Sequence, residues 1–339
     1  MEKPPSRPRA ATIGLAGVLG TLTIGALMAP AIPIGAQSSS VNLVAYSTPK
    51  PAYTVQAAAF AKTKAGAGVT ISPSFGPSGT QATAVANGLP ADVVNFSLEP
   101  DMTKLVKAGL VSSSWNKTTT KGMVTNSIVS FVVRPGNPKH IKTWADLVKS
   151  GVSIITPNVF SSGSAKWNIM AAYGAQISMG KTPAQAYAYL SQLLKHAAAQ
   201  PSSASAALQT FLSGQGDVLL DYEDDALYAK SKGEAVDIIT PPQTILIQNP
   251  IALTKSAGPA AKAFVAYLLS VPGQTVWGKQ GYRPVLPSVA SKFHFPKPKT
   301  LFTIDKLGGW TVVNAKFFDP QTGIVAKAEQ SLGVSTASS

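Results

Sequence analysis

Along residues 41–269, short runs of Val, Ile and Leu alternate with longer stretches in which apolar side chains recur every three or four positions. The first kind suits a buried strand and the second an amphipathic helix. The pattern predicts strands at 41–45, 69–72, 92–96, 128–133, 153–155, 218–222, 238–239 and 244–253. It predicts helices at 52–63, 79–87, 102–108, 144–149, 165–173, 183–197, 204–212, 225–232 and 260–269. Such alternation implies an α/β fold with largely parallel sheets, since a crossover helix returns the chain to the start of the next strand. No fixed-period repeat is present, and the Ala/Ser-rich stretch 197–207 is the one biased segment.

The first forty residues follow another rule. Lys3, Arg7 and Arg9 precede a mostly apolar stretch over 10–34, which ends in Gly35-Ala36 before the polar Gln37-Ser38-Ser39-Ser40. A basic head, an apolar middle and a small residue before a polar run describe a secretory signal peptide, 1–36, cut after Ala36. Left uncut, the stretch is long enough to anchor the chain in a bilayer, although Pro30 and Pro33 interrupt it. Either way residues 41–339 are expected outside the cytoplasmic membrane, in the periplasm or cell envelope, or secreted.

Composition narrows the function classes. At 339 residues, with 45% hydrophobic and 13% charged, the chain can bury two substantial cores. Its formal charge of +14 comes from basic residues scattered singly, which argues against a nucleic-acid arm and suits mild attraction of anions. There is no cysteine, so disulfides, thiolate metal sites, a cysteine nucleophile and a lipidated N-terminal cysteine are excluded. His140, His196 and His294 stand far apart without a carboxylate at ligand spacing and read as surface residues, not metal ligands. Trp144, Trp167, Trp277 and Trp310 read as core, and Arg134 as part of a turn.

The strand-to-helix turns carry the sharper signal. Tyr46-Ser47-Thr48-Pro49, Phe75-Gly76-Pro77-Ser78-Gly79-Thr80, Ser161-Ser162-Gly163-Ser164 and Pro201-Ser202-Ser203-Ala204-Ser205 all open helices with small hydroxyl residues or glycine. Each could be simple capping, with Ser47 or Thr48 capping the first helix. Alternatively the turns converge on a ligand, because α/β sheets bind beyond the carboxyl ends of their strands, where helix N-termini offer unpaired N–H groups.

Five stretches, in order, resemble one family: PSFGPSGTQATAVANGLPADVV at 73–94, SSGSAKWNIMAAYG at 161–174, GQGDVLLDYEDDA at 214–226, GYRPVLPSVASKF at 281–293 and LFTIDKLGGW at 301–310. The chain is similar to the sulfate-binding proteins of bacterial ABC importers over nearly its whole length after the signal. The resemblance implies a type II, two-lobed periplasmic-binding-protein fold, each lobe a mainly parallel sheet flanked by helices. It places lobe I at 41–127 and 247–339, the C-terminal part wrapping both lobes, and lobe II at 128–246. It implies a monomer that holds one dehydrated tetrahedral dianion without a cofactor and passes it to a permease driven by a separate ATPase.

Carried over position by position, the resemblance implies backbone donors at Ser47, Ser78, Gly163, Ser164 and Ala204, a hydroxyl donor at Ser162, and a side-chain donor at Tyr222. Ser47 stands where the family has an aspartate, Ser164 where it has a second glycine, Ser205 where it has an arginine, and Tyr222 where it has a tryptophan. Backbone N–H groups survive such changes, whereas a phenol is shorter than an indole and can accept as well as donate. Sulfate is the first expectation, with thiosulfate, molybdate or phosphate as alternatives. Hydrogen phosphate needs an acceptor, which Asp221, Glu223, Asp224 or Asp225 could supply if turned inward. Their plain reading is a solvated helix start favoured by the dipole.

Other classes fit less well. Thr80 breaks the nucleophile-elbow pattern around Ser78, no phosphate-binding loop is present, and Ser162 lies four residues before Lys166, not three. An enzyme is therefore not expected. A secreted adhesion or surface module would suit the basic charge but does not require convergent helix starts.

Overall fold

The structure is a computed structural model and describes residues 39–336; the expected signal peptide lies outside the described residues. The principal strands are β1 (Ser39–Tyr46), β2 (Val69–Gly76), β3 (Val93–Asn95), β4 (Met123–Val133), β5 (Ile154–Ile155), β6 (Ala197–Ala199), β7 (Val218–Tyr222), β8 (Asp237–Ile239) and β9 (Gln243–Leu253). The principal helices are α1 (Lys50–Ala61), α2 (Ser78–Ala86), α3 (Glu99–Lys107), α4 (Gly163–Ser178), α5 (Pro183–Lys195), α6 (Ala204–Leu212), α7 (Glu223–Ser231), α8 (Pro259–Leu268) and α9 (Val271–Lys279).

The sheet runs β2-β1-β3-β9-β4-β7-β5-β6. One end is the parallel set β2-β1-β3 and the other the parallel set β7-β5-β6. Between them β9 and β4 are antiparallel to each other and to the sets they join, β9 to β3 and β4 to β7. Each of these long strands therefore belongs to both halves, giving two lobes joined by crossing strands and the α/β architecture of periplasmic binding proteins. Among the described residues no helix is long and apolar enough to cross a membrane.

Strand alternation builds a core on each face of each lobe. In β1, Val41, Leu43 and Ala45 pack with Tyr53, Phe60, Phe264 and Trp277, while Val44 faces Phe96, Met102 and Leu105. In the second lobe Phe131 and Leu220 join Trp144, Trp167 and Leu190, while Val132 and Leu219 join Ile155 and Phe211. Trp310, Phe317, Phe318 and Val325, from the C-terminal stretch, enter this second-lobe core.

The differences from the sequence pattern have local causes. β4 starts at Met123, ahead of the apolar run, because Thr125 and Ser127 are buried yet polar and Thr125 Oγ1 donates to Asn249 Oδ1 of β9 at 3.2 Å. β6 takes residues from the Ala-rich stretch, where backbone pairing with β5 replaces any side-chain signal. The segment 144–148 is a 3-10 helix, not an α-helix. Helix α9 escaped notice because Pro272 and Gly273 open it, both weak helix signals although proline suits a first turn.

Candidate functional site

Strand register brings the suspected turns together. In the first lobe Tyr46 pairs with Gly76, and Ala45 pairs with Phe75 on one side and Asn95 on the other. The turns after β1, β2 and β3, holding Ser47, Ser78 and Ser97, thus leave one edge of the sheet. In the second lobe Ile155 pairs with Leu219 and Ala199, so the chain after β5, β6 and β7 leaves a matching edge toward Ser162, Ala204 and Tyr222. Both edges are carboxyl ends, where an α/β sheet places ligands.

Ser97, which the sequence reading passed over, ties the two edges. Its backbone N–H donates to Ser78 Oγ at 2.9 Å, and its carbonyl accepts the Trp167 indole N–H of α4 at 2.8 Å. Its hydroxyl lies 2.7 Å from the Tyr222 hydroxyl. One residue of the first lobe therefore meets two side chains of the second. Ser78 in turn donates from Oγ to Asp101 Oδ2 at 2.6 Å, so its hydroxyl orders the first-lobe turns.

Helix α4 opens against this contact. Ser162 occupies its N-cap position, with extended backbone, yet makes no side-chain cap; its Oγ lies 2.8 Å from Ser164 Oγ instead. Gly163 is the first helical residue, and a Cβ there would lie 2.6 Å from Ser97 Oγ and 2.9 Å from Leu98 Cγ. Only glycine admits that approach between the lobes. Across the turn, Ser161 Oγ donates to the Ser202 carbonyl at 2.8 Å, placing the start of α6 beside that of α4. Ser203 caps α6 by accepting from Ala206 N–H at 3.2 Å, and Ala204 is the first residue of that helix.

Ser47 differs from the expectation of a cap. Helix α1 starts after Pro49 without a side-chain cap, and Ser47 accepts through its carbonyl from Lys50 N–H at 3.2 Å. The Ser47 carbonyl thus bonds within its own turn, whereas Ser78, Gly163 and Tyr222 meet at Ser97, with Ser162 and Ser164 flanking Gly163.

The acidic residues around Tyr222 are a correction. Asp221, Glu223, Asp224 and Asp225 are buried, not solvated, because the start of α7 is packed between the lobes. Glu223 is paired: Arg283 Nε donates to Oε2 at 2.6 Å and Nη2 to Oε1 at 3.0 Å. Asp221 Oδ1 accepts from Tyr222 N–H at 2.8 Å. Burial, with Asp224 also contributing, pushes the Tyr46 phenol well above its ordinary range, and burial raises Tyr222 likewise, so both stay neutral donors.

Lys166 of α4 and Asp101 of α3 act on each other from opposite lobes. Burial lowers Lys166 and Asp101 counters it; burial raises Asp101, and Ser78, Lys166 and Lys104 counter that. Among the described residues there is no cluster of His, Cys, Asp and Glu that could hold a metal ion. The arrangement offers hydroxyls and helix N-termini from both lobes at one junction, chemistry suited to holding an anion.

Comparison with known proteins agrees with the architecture. Residues 41–283 match the family described as bacterial extracellular solute-binding protein. The sulfate-binding protein of Synechococcus elongatus is 39% identical over 295 residues, 83% of this chain and 84% of that protein. That of Escherichia coli is 38% identical over 271 residues, 76% of this chain and 82% of its own length. Among solved structures, the sulfate-binding protein SubI from Mycobacterium tuberculosis H37Rv aligns with a TM-score of 0.81 at 43% identity, covering 83% of this chain and 100% of that one. On this sequence match and this shared fold, the chain belongs to the family of bacterial extracellular solute-binding proteins.

Proposed function

We propose that the protein captures sulfate between its lobes and delivers it to the permease of an ABC importer powered by a separate ATPase. The observation that carries the reading is the meeting of both carboxyl edges at Ser97, Gly163 and Tyr222. In this reading the backbone N–H groups of Ser47, Ser78, Gly163, Ser164 and Ala204 donate to the anion, joined by the hydroxyls of Ser162 and Tyr222. Lobe I comprises 41–127 with the return from 247, lobe II 128–246, and the protein acts as a monomer exported by its N-terminal signal.

Hydroxyl pairing supports the donor count. Ser162 and Ser164 share one hydrogen bond, as do Ser97 and Tyr222. Two hydroxyls sharing one bond retain one proton, so each pair can direct a single O–H at a ligand. A fully ionised sulfate has only acceptors and matches such a set.

Calorimetry against sulfate, thiosulfate, molybdate and phosphate at two pH values tests the reading. Sulfate is expected to bind and to raise the melting temperature by mass action, with chloride inert. A flat response to all four oxyanions would overturn it.

A further inference from the structure

Two carboxylates buried beside the proposed anion site have neutral hydroxyls as neighbours and no cation of their own. Asp224 is 1% exposed, and the groups that oppose its burial are the hydroxyls of Ser127 and Tyr282 and its own backbone N–H. Asp225 faces the Thr48 hydroxyl, a neutral partner that only partly offsets its burial. Arg283 is the one cation ion-paired within this group among the described residues, and its fork is occupied by Glu223.

Elements from both lobes cover the pair. Tyr46 comes from β1, Thr48 from the turn after it, Ser127 from β4, Asp221 and Tyr222 from β7, and Tyr282 from the turn after α9. A cavity of about 10 Å³, room for roughly one water, lies between Thr48, Pro51 and Ala52 of the first lobe and Asp224, Asp225 and Tyr282. The Tyr46 and Tyr222 rings stand 6.3 Å apart, and Asp224 acts on both phenols, including the one that reaches Ser97.

We propose that Asp224 and Asp225 form a proton-linked pair behind the site, so that closing the lobes on a dianion draws a proton onto the pair. The inference rests on the sulfate reading given above. A dianion brought next to Tyr222 in a dry cleft adds negative charge close to carboxylates that have no cation of their own, and the neutral form is then favoured. Burial already holds Asp224 up to about 7, and burial with the neighbouring Asp224 holds Asp225 up to about 8, so the pair titrates where the shift can be read. Asn replaces either carboxyl without changing its shape and cannot take up the proton.

The test is calorimetry of sulfate binding at pH 7 to 8 in PIPES, HEPES, imidazole and Tris, buffers that differ in ionisation enthalpy. The wild-type enthalpy is expected to vary with the buffer in the sense of net proton uptake. Affinity is expected to weaken as pH rises, by up to about tenfold per unit. Asp224→Asn and Asp225→Asn, singly and together, are expected to reduce or abolish the buffer dependence. Clear sulfate binding with buffer-independent enthalpy in the wild type would overturn the proton link and leave the sulfate reading standing, and this outcome needs no variant to fold. Undiminished uptake in the double variant would overturn the assignment to these residues. Absence of sulfate binding in every buffer would overturn the sulfate reading, and the inference with it.

Discussion

The Ser97 hydroxyl of the first lobe lies 2.7 Å from the Tyr222 hydroxyl of the second, both side chains being buried. The first lobe offers Ser97 in a turn already fixed by Ser78, and the second offers Tyr222 at the end of β7. A hydrogen bond of this kind exists only while the lobes meet. It therefore belongs to the closed form, the form an anion bridging both edges would favour.

The first prediction concerns that pair. Ser97→Ala and Tyr222→Phe each remove one hydroxyl and are expected to weaken sulfate binding by about 1–2 kcal/mol. Because they share the bond, the double variant is expected to lose less than the sum, with a coupling of about 0.5–1.5 kcal/mol in a double-mutant cycle. Strict additivity in calorimetry would show that the two hydroxyls act separately.

Ser162 poses a cleaner single test. Its hydroxyl makes no cap and touches Ser164 instead. Ser162→Ala is expected to leave helix α4 stability nearly unchanged while weakening sulfate binding by about 1–2 kcal/mol. A loss of thermal stability with unchanged affinity would return Ser162 to a structural role.

Gly163 tests lobe contact without removing a polar group. Gly163→Ala puts a methyl 2.6 Å from Ser97 Oγ and 2.8 Å from Ser97 Cβ, contacts the lobes can relieve by staying apart. Sulfate affinity is expected to fall at least tenfold, with the melting temperature of the sulfate-free protein little changed. Equal affinity would mean that the lobes do not meet here when the anion is held.

The strand ends were legible because mostly apolar runs such as 218–222 are buried on both faces, and their small-residue turns followed directly. Two things were not. Ser97 sits alone before Leu98-Glu99-Pro100, without the cluster of small residues that marked the other turns, and its importance comes from its partners across the cleft. The acidic start of α7 has the composition of a solvated helix end, and only the packing of Tyr46, Tyr282 and Arg283 over it makes it interior. Long-range burial of this kind leaves no periodic trace in the chain.

Stability should depend on pH through Asp224 and Asp225. Their folded values of about 7 and about 8 stand above the usual carboxylate value of about 3.9, so the folded state keeps protons that the unfolded chain has released. Stability is then expected to fall as pH rises from about 4 to about 8, at up to about 1.4 kcal/mol per unit for each group, and to level off above. Asp224→Asn should flatten the profile and stabilise the protein at pH 8 by on the order of a few kcal/mol. Urea unfolding at pH 5 and pH 8 measures both, and parallel wild-type and variant profiles would refute the titration.

The Arg283 pair should behave in the opposite way when broken. Its guanidinium is bidentate to a carboxylate that is 1% exposed, and Nη2 also donates to the Pro296 carbonyl at 2.7 Å. Arg283→Met leaves Glu223 buried and unpaired, which costs about 3–5 kcal/mol while the carboxylate stays ionised. Burial already raises Glu223, and loss of Arg283 removes the influence that opposes it, so the lone carboxyl can escape the penalty by taking a proton at low pH. The deficit is therefore expected to be small near pH 5 and to widen toward pH 8. Adding Glu223→Gln to Arg283→Met should recover much of the loss at pH 8 and little at pH 5, because the second change removes only the charge. A deficit of equal size at both pH values would assign the cost of losing Arg283 to its contacts with Pro296 and Phe295 instead.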